Sequence, residues 1–246
     1  MAGHSHWANI QHKKAAIDKK RGKIFSKISR KIIAAAKSGG GDPEANIKLK
    51  YAVQAARAAN MSNDQVKRAI KRAMGEGAGG ADFEELVYEG YAPGGAAVLV
   101  EALTDNRNRT SGDVRSTFNK RGGNLGSTGS VAWQFVRKSI ICVPAAGISE
   151  DDLLMTVLEA GADDLEQVGD LFEIRGAPES LFGLQQAVEQ ADLETVSAEL
   201  SYFASEPMPV DDETGQKIAK LLEALEENDD VQNVYTNADF PEGFGE

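Results

Sequence analysis

Apolar residues recur at helical spacing in three stretches of the first 74 residues. Over residues 23–37 the apolar side chains fall within about 120° on a helical projection, while the lysines and arginines project to the other side. Residues 45–60 and 62–73 repeat the pattern, with a second basic face on the third stretch. The sequence therefore predicts a small bundle of three amphipathic helices whose outer surface is cationic.

Capping residues predict where these helices begin and end. Three glycines at 39–41 end the first helix. Asp42 followed by Pro43 is predicted to start the second helix, with a capping carboxylate and a proline at the first helical position. Ser62 and Gln65 have the spacing of a capping box and predict the start of the third helix.

The apolar periodicity changes from helix to strand after residue 83. The glycine-rich residues 75–80 contain a formal G-x-G-x-x-G, but they follow a helix and precede a strand, so we interpret them as a linker. The next predicted elements are strands at 83–89 and 96–103, a helix from about Asn106, and an extended region at 131–143 with a break at 137–138. Thr104 and Asp105 are the predicted caps of this helix, and Val114 and Phe118 are predicted to face the sheet.

Strands and helices alternate beyond Pro144. The predicted elements are a helix at 151–160 with Leu154, Val157 and Leu158 as its apolar residues, strands at 165–168 and 171–174, a helix from Pro178 and a strand at 193–203. With a strand at 140–143 they follow the β-α-β-β-α-β order of a ferredoxin-like fold. The last helix, 211–228, and strand, 231–235, lack enough strands to stand alone, which assigns them to the sheet of the earlier hairpin.

The predicted fold class is α+β, with three domains. An N-terminal basic helical bundle occupies residues 1–78. Two ferredoxin-like α/β domains follow: a discontinuous middle domain made of 79–138 and 205–240, and an acidic domain at 139–204 that is inserted into the middle one.

Charge is divided unevenly between the two ends of the chain. Residues 1–75 contain 17 Lys or Arg against 4 Asp or Glu, residues 139–246 contain 3 against 26, and the whole chain has a net charge of −11. Cations confined to one end repel one another unless a polyanion neutralises them. The basic end therefore predicts a nucleic-acid partner, and the acidic domains predict a protein partner.

Membrane insertion and secretion are not indicated. A single cysteine, Cys142, cannot form an internal disulfide, and no run of about 18 apolar residues is present. The first residues lack the apolar core of a secretory leader. We therefore expect a cytoplasmic location.

The candidate nucleic-acid-binding residues form two sets. The first set is cationic or aromatic and comprises Trp7, His12, Lys13, Lys14, Lys19, Lys20, Arg21, Lys23, Lys27, Arg30 and Lys31. Trp7 fits base stacking and packing onto the bundle equally well. The second set is Arg107 and Arg109, with Arg115 nearby. Arginine in a first helical turn opposes the helix dipole, so these residues are expected to meet either an external phosphate or the protein's own carboxylates.

Catalytic and metal chemistry are not predicted. His4 and His6 have no carboxylate or cysteine near them, and no histidine follows His12. The loop at 126–130 carries no lysine of a P-loop, and Cys142 lies in an apolar strand pattern as a small buried residue. We expect no enzyme activity, no cofactor, no metal site and no small-molecule substrate.

Seven segments of this sequence resemble the YebC family. They are residues 1–10 (MAGHSHWANI), 20–27 (KRGKIFSK), 39–44 (GGGDPE), 88–95 (YEGYAPGG), 103–110 (LTDNRNRT), 122–126 (GGNLG) and 129–133 (GSVAW). The resemblance extends over nearly the whole chain. It departs at His6, where a lysine is common, and at Ala92, where a glycine is common.

The resemblance implies a three-domain bacterial protein without enzyme activity that regulates gene expression. Members are commonly described as DNA-binding transcriptional regulators. Similar mitochondrial proteins are translational activators of cytochrome c oxidase, and bacterial members are linked to the ribosome. Two functions therefore stay open: a DNA-binding transcriptional regulator acting through the basic domain, and a translation factor that binds ribosomal RNA on the ribosome.

Overall fold

The computed structural model describes residues 17–75, 82–241 and 243–244, with side chains from residue 22 onward. The predicted α+β class is confirmed, because helices at the N-terminal side are followed by sheet-containing parts. Internal contacts divide the chain into two compact units, residues 1–135 with 204–246 and residues 136–203. The finer division into three domains stays a prediction.

Seven α-helices and ten strands lie in the described residues. The helices are α1 (Ile17–Gly39), α2 (Ile47–Ala58), α3 (Asn63–Ala73), α4 (Arg107–Lys120), α5 (Glu150–Leu158), α6 (Leu181–Gln190) and α7 (Asp212–Glu226). The strands are β1 (Glu84–Tyr91), β2 (Ala97–Thr104), β3 (Asn124–Leu125), β4 (Phe135–Pro144), β5 (Ala162–Val168), β6 (Leu171–Gly176), β7 (Ser197–Ala204), β8 (Met208–Pro209), β9 (Val231–Thr236) and β10 (Ala238–Asp239).

The three predicted amphipathic helices are present at the N-terminal side. Helix α1 packs against both α2 and α3. Ile32 of α1 and Leu49 of α2 are fully buried in the core between them, and Val66 and Ala69 of α3 complete it. These residues are the apolar stripes that the helical periodicity indicated, so the core faces of this bundle follow from local sequence.

Helix α2 begins later than predicted, because Asn46 and not Asp42 is its N-cap. The Asn46 side-chain oxygen accepts from the amide of Leu49 at 3.2 Å, and its Nδ2 donates to the carbonyls of Ala35 and Gly40, both at 2.8 Å. One buried amide thus joins the end of α1 to the start of α2. The Asp42 side chain instead accepts from the amide of Glu44 at 3.0 Å, within the turn that precedes α2.

The predicted capping box at the start of α3 is confirmed. The amide of Gln65 donates to the Ser62 hydroxyl at 3.3 Å, and the amide of Ser62 donates to the Gln65 side-chain oxygen at 3.1 Å. Two amides that the helix itself leaves without partners are thereby satisfied.

The sheet of the first unit has the order β3-β1-β2-β9, and all neighbouring strands are antiparallel. Strand β2 is central and buried along nearly its whole length. Helices α4 and α7 contact each other and cover one face, where Phe118, Leu221 and Leu222 are fully buried with the valines of β2 and β9. The last helix and strand therefore belong to the hairpin's sheet, although more than 100 residues separate them in the chain.

Helix α4 is capped one residue later than predicted. The side chain of Asn106 accepts from the amide of Arg109 at 3.1 Å, which makes Asn106 the N-cap. Thr104 has a different role, because its hydroxyl accepts from the amide of Asn106 at 2.9 Å and bonds to Asp230 at 3.1 Å. Val114 and Phe118 face the core, as predicted.

Asp230 is a buried carboxylate at the junction of several elements in the first unit. It lies just before β9, with a side chain that is 5% exposed, and it accepts from Thr110 of α4 at 2.7 Å and from Arg109 at 2.7 Å. Its backbone oxygen accepts from the amide of Leu103 in β2 at 2.8 Å. Burial raises the pKa of this carboxyl, but hydrogen bonds from Arg109 and Thr110 and the nearby positive charges lower it further, so the net pKa is below its ordinary value.

The second unit contains a four-stranded sheet of order β5-β6-β4-β7, with two helices that contact each other. Numbered within the unit, this order is 2-3-1-4, the strand arrangement of a ferredoxin-like βαββαβ sheet. Ile141, Leu153, Ile174 and Leu184 are fully buried, so both helices contribute to its core.

Two predictions within this unit are wrong. Strand β4 runs without a break through Arg137 and Lys138, because Arg137 lies over the ring of Tyr202 and Lys138 pairs with Asp163 at 3.2 Å. Both charged side chains therefore have partners within the unit and do not interrupt the strand. Helix α5 buries Leu153 and Val157, whereas Leu154 and Leu158, which were expected in its apolar face, are exposed.

No helix in the described part of the chain is long and apolar enough to cross a membrane.

Replacing Asn46 by alanine is expected to loosen the joint between α1 and α2. The change removes a helix cap and leaves two carbonyls without their buried donor, at a cost of about 1–3 kcal/mol. Hydrogen exchange of the amides in the first two turns of α2 should accelerate by about tenfold or more. Asn63→Ala, at an exposed asparagine of α3, is the matched control and should leave exchange in α2 unchanged.

Replacing Asp230 by asparagine is expected to destabilise the first unit and to weaken its acid sensitivity. Because the folded-state pKa lies below the ordinary value of 3.8, this carboxylate contributes stability that is fully present above pH 3.8 and is lost as the pH falls through the folded-state value. Urea unfolding at about pH 6 and about pH 2.5 should show a smaller difference for Asp230→Asn than for the unchanged protein. Asp113→Asn, at an exposed carboxylate of α4, should retain the full difference; equal pH dependence in both variants would contradict the role of Asp230.

Candidate nucleic-acid interface

Helix α3 presents a continuous basic face. Lys67, Arg68, Lys71 and Arg72 are all exposed and fall within about 140° on a helical projection. The buried residues of α3 lie on the opposite side of the helix. Residues four apart rise about 6 Å along the axis, so the four cations form a compact row that is open to solvent.

Helix α2 adds exposed cations to the same group of helices. Lys48 lies near its start and Arg57 in its last turn, and both are exposed. Within the described residues, neither forms an ion pair, and the same holds for Lys67 and Arg72 of α3. The positive charges of these four side chains therefore have no ion-pair partner in the part of the chain that the structure describes.

Three of the predicted α1 cations bind the end of α7. Lys23 and Lys27 donate to the carbonyls of Glu227 and Glu226, each at 3.1 Å. Arg30 donates to the carbonyl of Asp229 and approaches the Asp230 carboxylate at 3.4 Å. The last carbonyls of a helix have no partner within it and carry the negative end of its dipole. These side chains therefore act as a cationic cap on α7.

The environment of Lys27 differs from that of an exposed lysine. Burial lowers the pKa of Lys27, the carboxylate of Glu226 acts in the opposite direction, and the nearby positive charges of Lys31 and Lys23 lower it further. The side chain is thus partly withdrawn from water and directed at a carbonyl. Its position is suited to holding α7 and not to reaching a phosphate in solution.

The second predicted set pairs with the protein's own carboxylates. Arg107 lies 3.2 Å from Glu84, and Arg109 lies 2.9 Å from Asp105 and 2.7 Å from Asp230. The two hydrogen bonds to Asp230 and Asp105 raise the pKa of Arg109. Of the two alternatives for these arginines, the structure shows the internal one.

The remaining predicted residues are only partly described. Lys31 lies on α1 and is half-buried. Trp7, His12, Lys13 and Lys14 fall outside the described residues, as do the side chains of Lys19, Lys20 and Arg21. The exposed cations of α2 and α3 were absent from the predicted binding set, although the alternation of apolar and basic residues in α3 was a sufficient signal for them.

The Glu89 carboxylate and the Cys142 thiol are the types of side chain that can take part in catalysis, but their surroundings here indicate structural roles. Burial raises the pKa of Glu89, but the amides of Gly129, Val131 and Ala132 donate to its carboxylate at 2.7–2.8 Å and bring the net pKa below its usual value. The carboxylate therefore holds the loop that follows β3. Burial raises the pKa of the Cys142 thiol to about 11, which leaves it protonated and unreactive near neutral pH.

Metal ligands are not clustered in the described ranges, where no group of three or more histidine, cysteine, aspartate or glutamate side chains is arranged to hold an ion.

Comparison with known proteins gives matches along almost the whole chain. The model of the TACO1/YebC protein N-terminal domain matches residues 5–76, and the model of the TACO1/YebC second and third domain matches residues 83–238. A protein of Thermobifida fusca (strain YX) is 50% identical over 242 residues, which cover 98% of this chain and 97% of the relative. A protein of Nocardia farcinica (strain IFM 10152) is 50% identical over 239 residues, which cover 97% and 95%. Both are named "Probable transcriptional regulatory protein".

A solved structure supports the same assignment. The crystal structure of a conserved hypothetical protein from Aquifex aeolicus superposes with a TM-score of 0.87 at 47% sequence identity, and the match covers 96% of this chain and 98% of that one. Family models that together span both units, and relatives of about half-identical sequence over full length, agree on one family. The chain belongs to the TACO1/YebC family.

Proposed function

We propose that this protein is a non-enzymatic regulator of gene expression that binds duplex DNA through phosphate contacts from its basic N-terminal helices. The observation that carries the proposal is the exposed basic face of α3, formed by Lys67, Arg68, Lys71 and Arg72. A row of cations on one rigid helix matches a row of phosphates. The names of the relatives from Thermobifida fusca and Nocardia farcinica support a role in transcription.

Helices α1 and α3 have different tasks in this proposal. Helix α1 directs Lys23, Lys27 and Arg30 towards the end of α7, so these side chains hold the bundle in place. Helix α3 packs on α1 through its apolar side and presents its cations to solvent. DNA can thus bind to α3 without removing the contacts on which the position of α1 depends.

The acidic remainder of the chain supports binding at this one surface. Residues 139–246 contain 26 acidic against 3 basic side chains and therefore repel a polyanion. A DNA duplex is drawn to the basic helices and kept from the rest of the protein. This arrangement gives an orientation to the complex without any base-specific contact.

Sequence-specific readout is not part of the proposal. Asparagine, glutamine and arginine side chains read base edges, but the Gln65 side chain at the start of α3 is engaged in the capping box. Phosphate contacts position a protein on DNA and carry no sequence information themselves. We therefore expect affinity that depends strongly on salt and weakly on sequence.

Neutralising the α3 face tests this proposal. The variant Lys67→Gln, Arg68→Gln, Lys71→Gln, Arg72→Gln removes four cations that make no core contact. Binding to a duplex of about 20 base pairs, followed by fluorescence anisotropy from 50 to 200 mM salt, should weaken, and the slope of log K against log salt should become smaller by about 3 to 4.

A control of equal charge change separates this surface from net charge. The variant Arg115→Gln, Lys120→Gln, Lys217→Gln, Lys220→Gln also removes four exposed cations, all outside the N-terminal helices. It should retain the original slope. Equal effects of the two variants, or no effect of the α3 variant, would contradict the proposal.

Binding of ribosomal RNA that exceeds binding of duplex DNA at the same salt concentration would contradict the choice of DNA.

A further inference from the structure

The second unit exposes an apolar patch on its two helices. Leu154, Met155 and Leu158 of α5 are 39%, 70% and 60% exposed, and Phe182 of α6 is 48% exposed. Single exposed apolar residues are common on protein surfaces, but a contiguous group of them is typical of an interaction site. These four residues form the α5–α6 patch.

Helix α5 has more apolar surface than its own sheet requires. Leu153 and Val157 are buried against the core, and the three exposed residues continue the apolar arc to about 200° of the helix circumference. A helix that only covers a sheet needs an apolar stripe of about 100°. Half of the apolar surface of α5 is therefore unused within its unit.

The patch continues from α5 to α6. The end of α5 lies against the start of α6, because a Cβ added to Gly183 would be 3.3 Å from the carbonyl oxygen of Ala160 and one added to Gly161 would be 2.6 Å from the Ser180 hydroxyl. Leu158 precedes Ala160 by two residues, and Phe182 immediately precedes Gly183. The exposed apolar residues of α5 and α6 are thus carried by helix ends that adjoin each other.

Acidic residues surround this surface without compensation. Exposed carboxylates flank α5 and the start of α6, at Glu150, Asp151, Asp152, Glu159 and Glu179. Residues 139–203 contain 14 acidic side chains and one basic one, Arg175. Arg175 is bound by Asp164, Glu166 and Glu173 at 2.6–3.0 Å, so it does not neutralise the rim.

We infer that the α5–α6 patch binds a basic amphipathic segment of a protein partner, with apolar side chains on the patch and lysine or arginine side chains on the acidic rim. The charge of the rim decides between occupants. A second copy of this chain would bring two acidic rims together, and nucleic acid or an anionic lipid surface would be repelled. An apolar helix flanked by cations complements both parts of the surface.

This inference is independent of DNA binding, because it concerns a different unit and the opposite charge. Four side chains form a small surface, so the complex is expected to be weak and transient. Such binding would connect the acidic unit to a partner while the basic helices are occupied elsewhere.

A synthetic amphipathic helix of leucine and lysine is a suitable probe for the full-length chain. Methyl NMR resonances of the methionines report on its position, because Met155 lies in the patch and Met74, which is 54% exposed on the basic side, serves as an internal control. The Met155 resonance should shift and saturate, while that of Met74 stays unchanged. Equal shifts at both methionines, or no shift at Met155, would overturn the inference.

Variants and a second peptide complete the test. Leu158→Ser with Phe182→Ser should weaken binding of the leucine–lysine helix at least tenfold, whereas Ile47→Ser with Val87→Ser, at exposed apolar residues of the first unit, should not. A leucine–glutamate helix should bind at least tenfold more weakly than the lysine version. Equal binding of the two peptides would overturn the inference. So would a dimer of this chain that dissociates when Leu158 and Phe182 are replaced by serine. DNA affinity should be the same in all these variants, which keeps this result separate from that of the α3 test.

Discussion

The buried carboxylate of Asp230 joins more elements of the first unit than its size suggests. Burying a charge is unfavourable unless it is paired and fully hydrogen-bonded. Here the compensation comes from three different elements, since Thr104 ends β2, Thr110 and Arg109 belong to α4, and Arg30 reaches the same group from α1. Hydrogen bonds and charges from these elements together hold the pKa of Asp230 below its ordinary value, although burial raises it. The position of the basic helices is thereby linked to the register of β9 in the sheet.

The end of α7 explains why part of the basic charge is directed inward. A helix terminus of free carbonyls next to Asp229 and Asp230 is strongly negative, and Lys23, Lys27 and Arg30 neutralise it. Self-repulsion within the bundle is reduced by the same contacts. What stays exposed to solvent is the charge on α2 and α3, at Lys48, Arg57 and the basic face of α3. The uneven distribution of charge along the sequence therefore produces two features. Three cations of α1 bind the end of α7, and those of α2 and α3 form an exposed basic surface.

Local features of the fold could be predicted from the sequence, and long-range pairings could not. The capping box of Ser62 and the buried stripe of α3 depend on residues within one or two turns, so periodicity and spacing were enough. The cap formed by Asn46 was missed because its partner carbonyls lie at the end of another helix. The contact of Lys27 with α7 joins residues 199 positions apart, and no local pattern records it. A charge count over α1 therefore does not show that three of its cations contact α7, and the binding of nucleic acid by α1 stays a prediction.

Exposed positive charge alone does not distinguish a binding surface from a solvated helix face, so the proposal for the basic bundle depends on the difference between α1 and α3. If all cations served only solubility, there would be no reason for those of α1 to be half-buried against carbonyls while those of α3 lie in an uninterrupted row. A phosphate that displaced Lys23 or Arg30 would have to leave the carbonyls of α7 without donors, which is costly. On α3, the Nε of Arg68 donates to the carbonyl of Asp64 at 3.3 Å, one turn earlier in the same helix, so a phosphate there competes with an exposed bond within α3. For the proposed DNA contacts, the cost of leaving the α7 carbonyls without donors therefore favours α3 over α1.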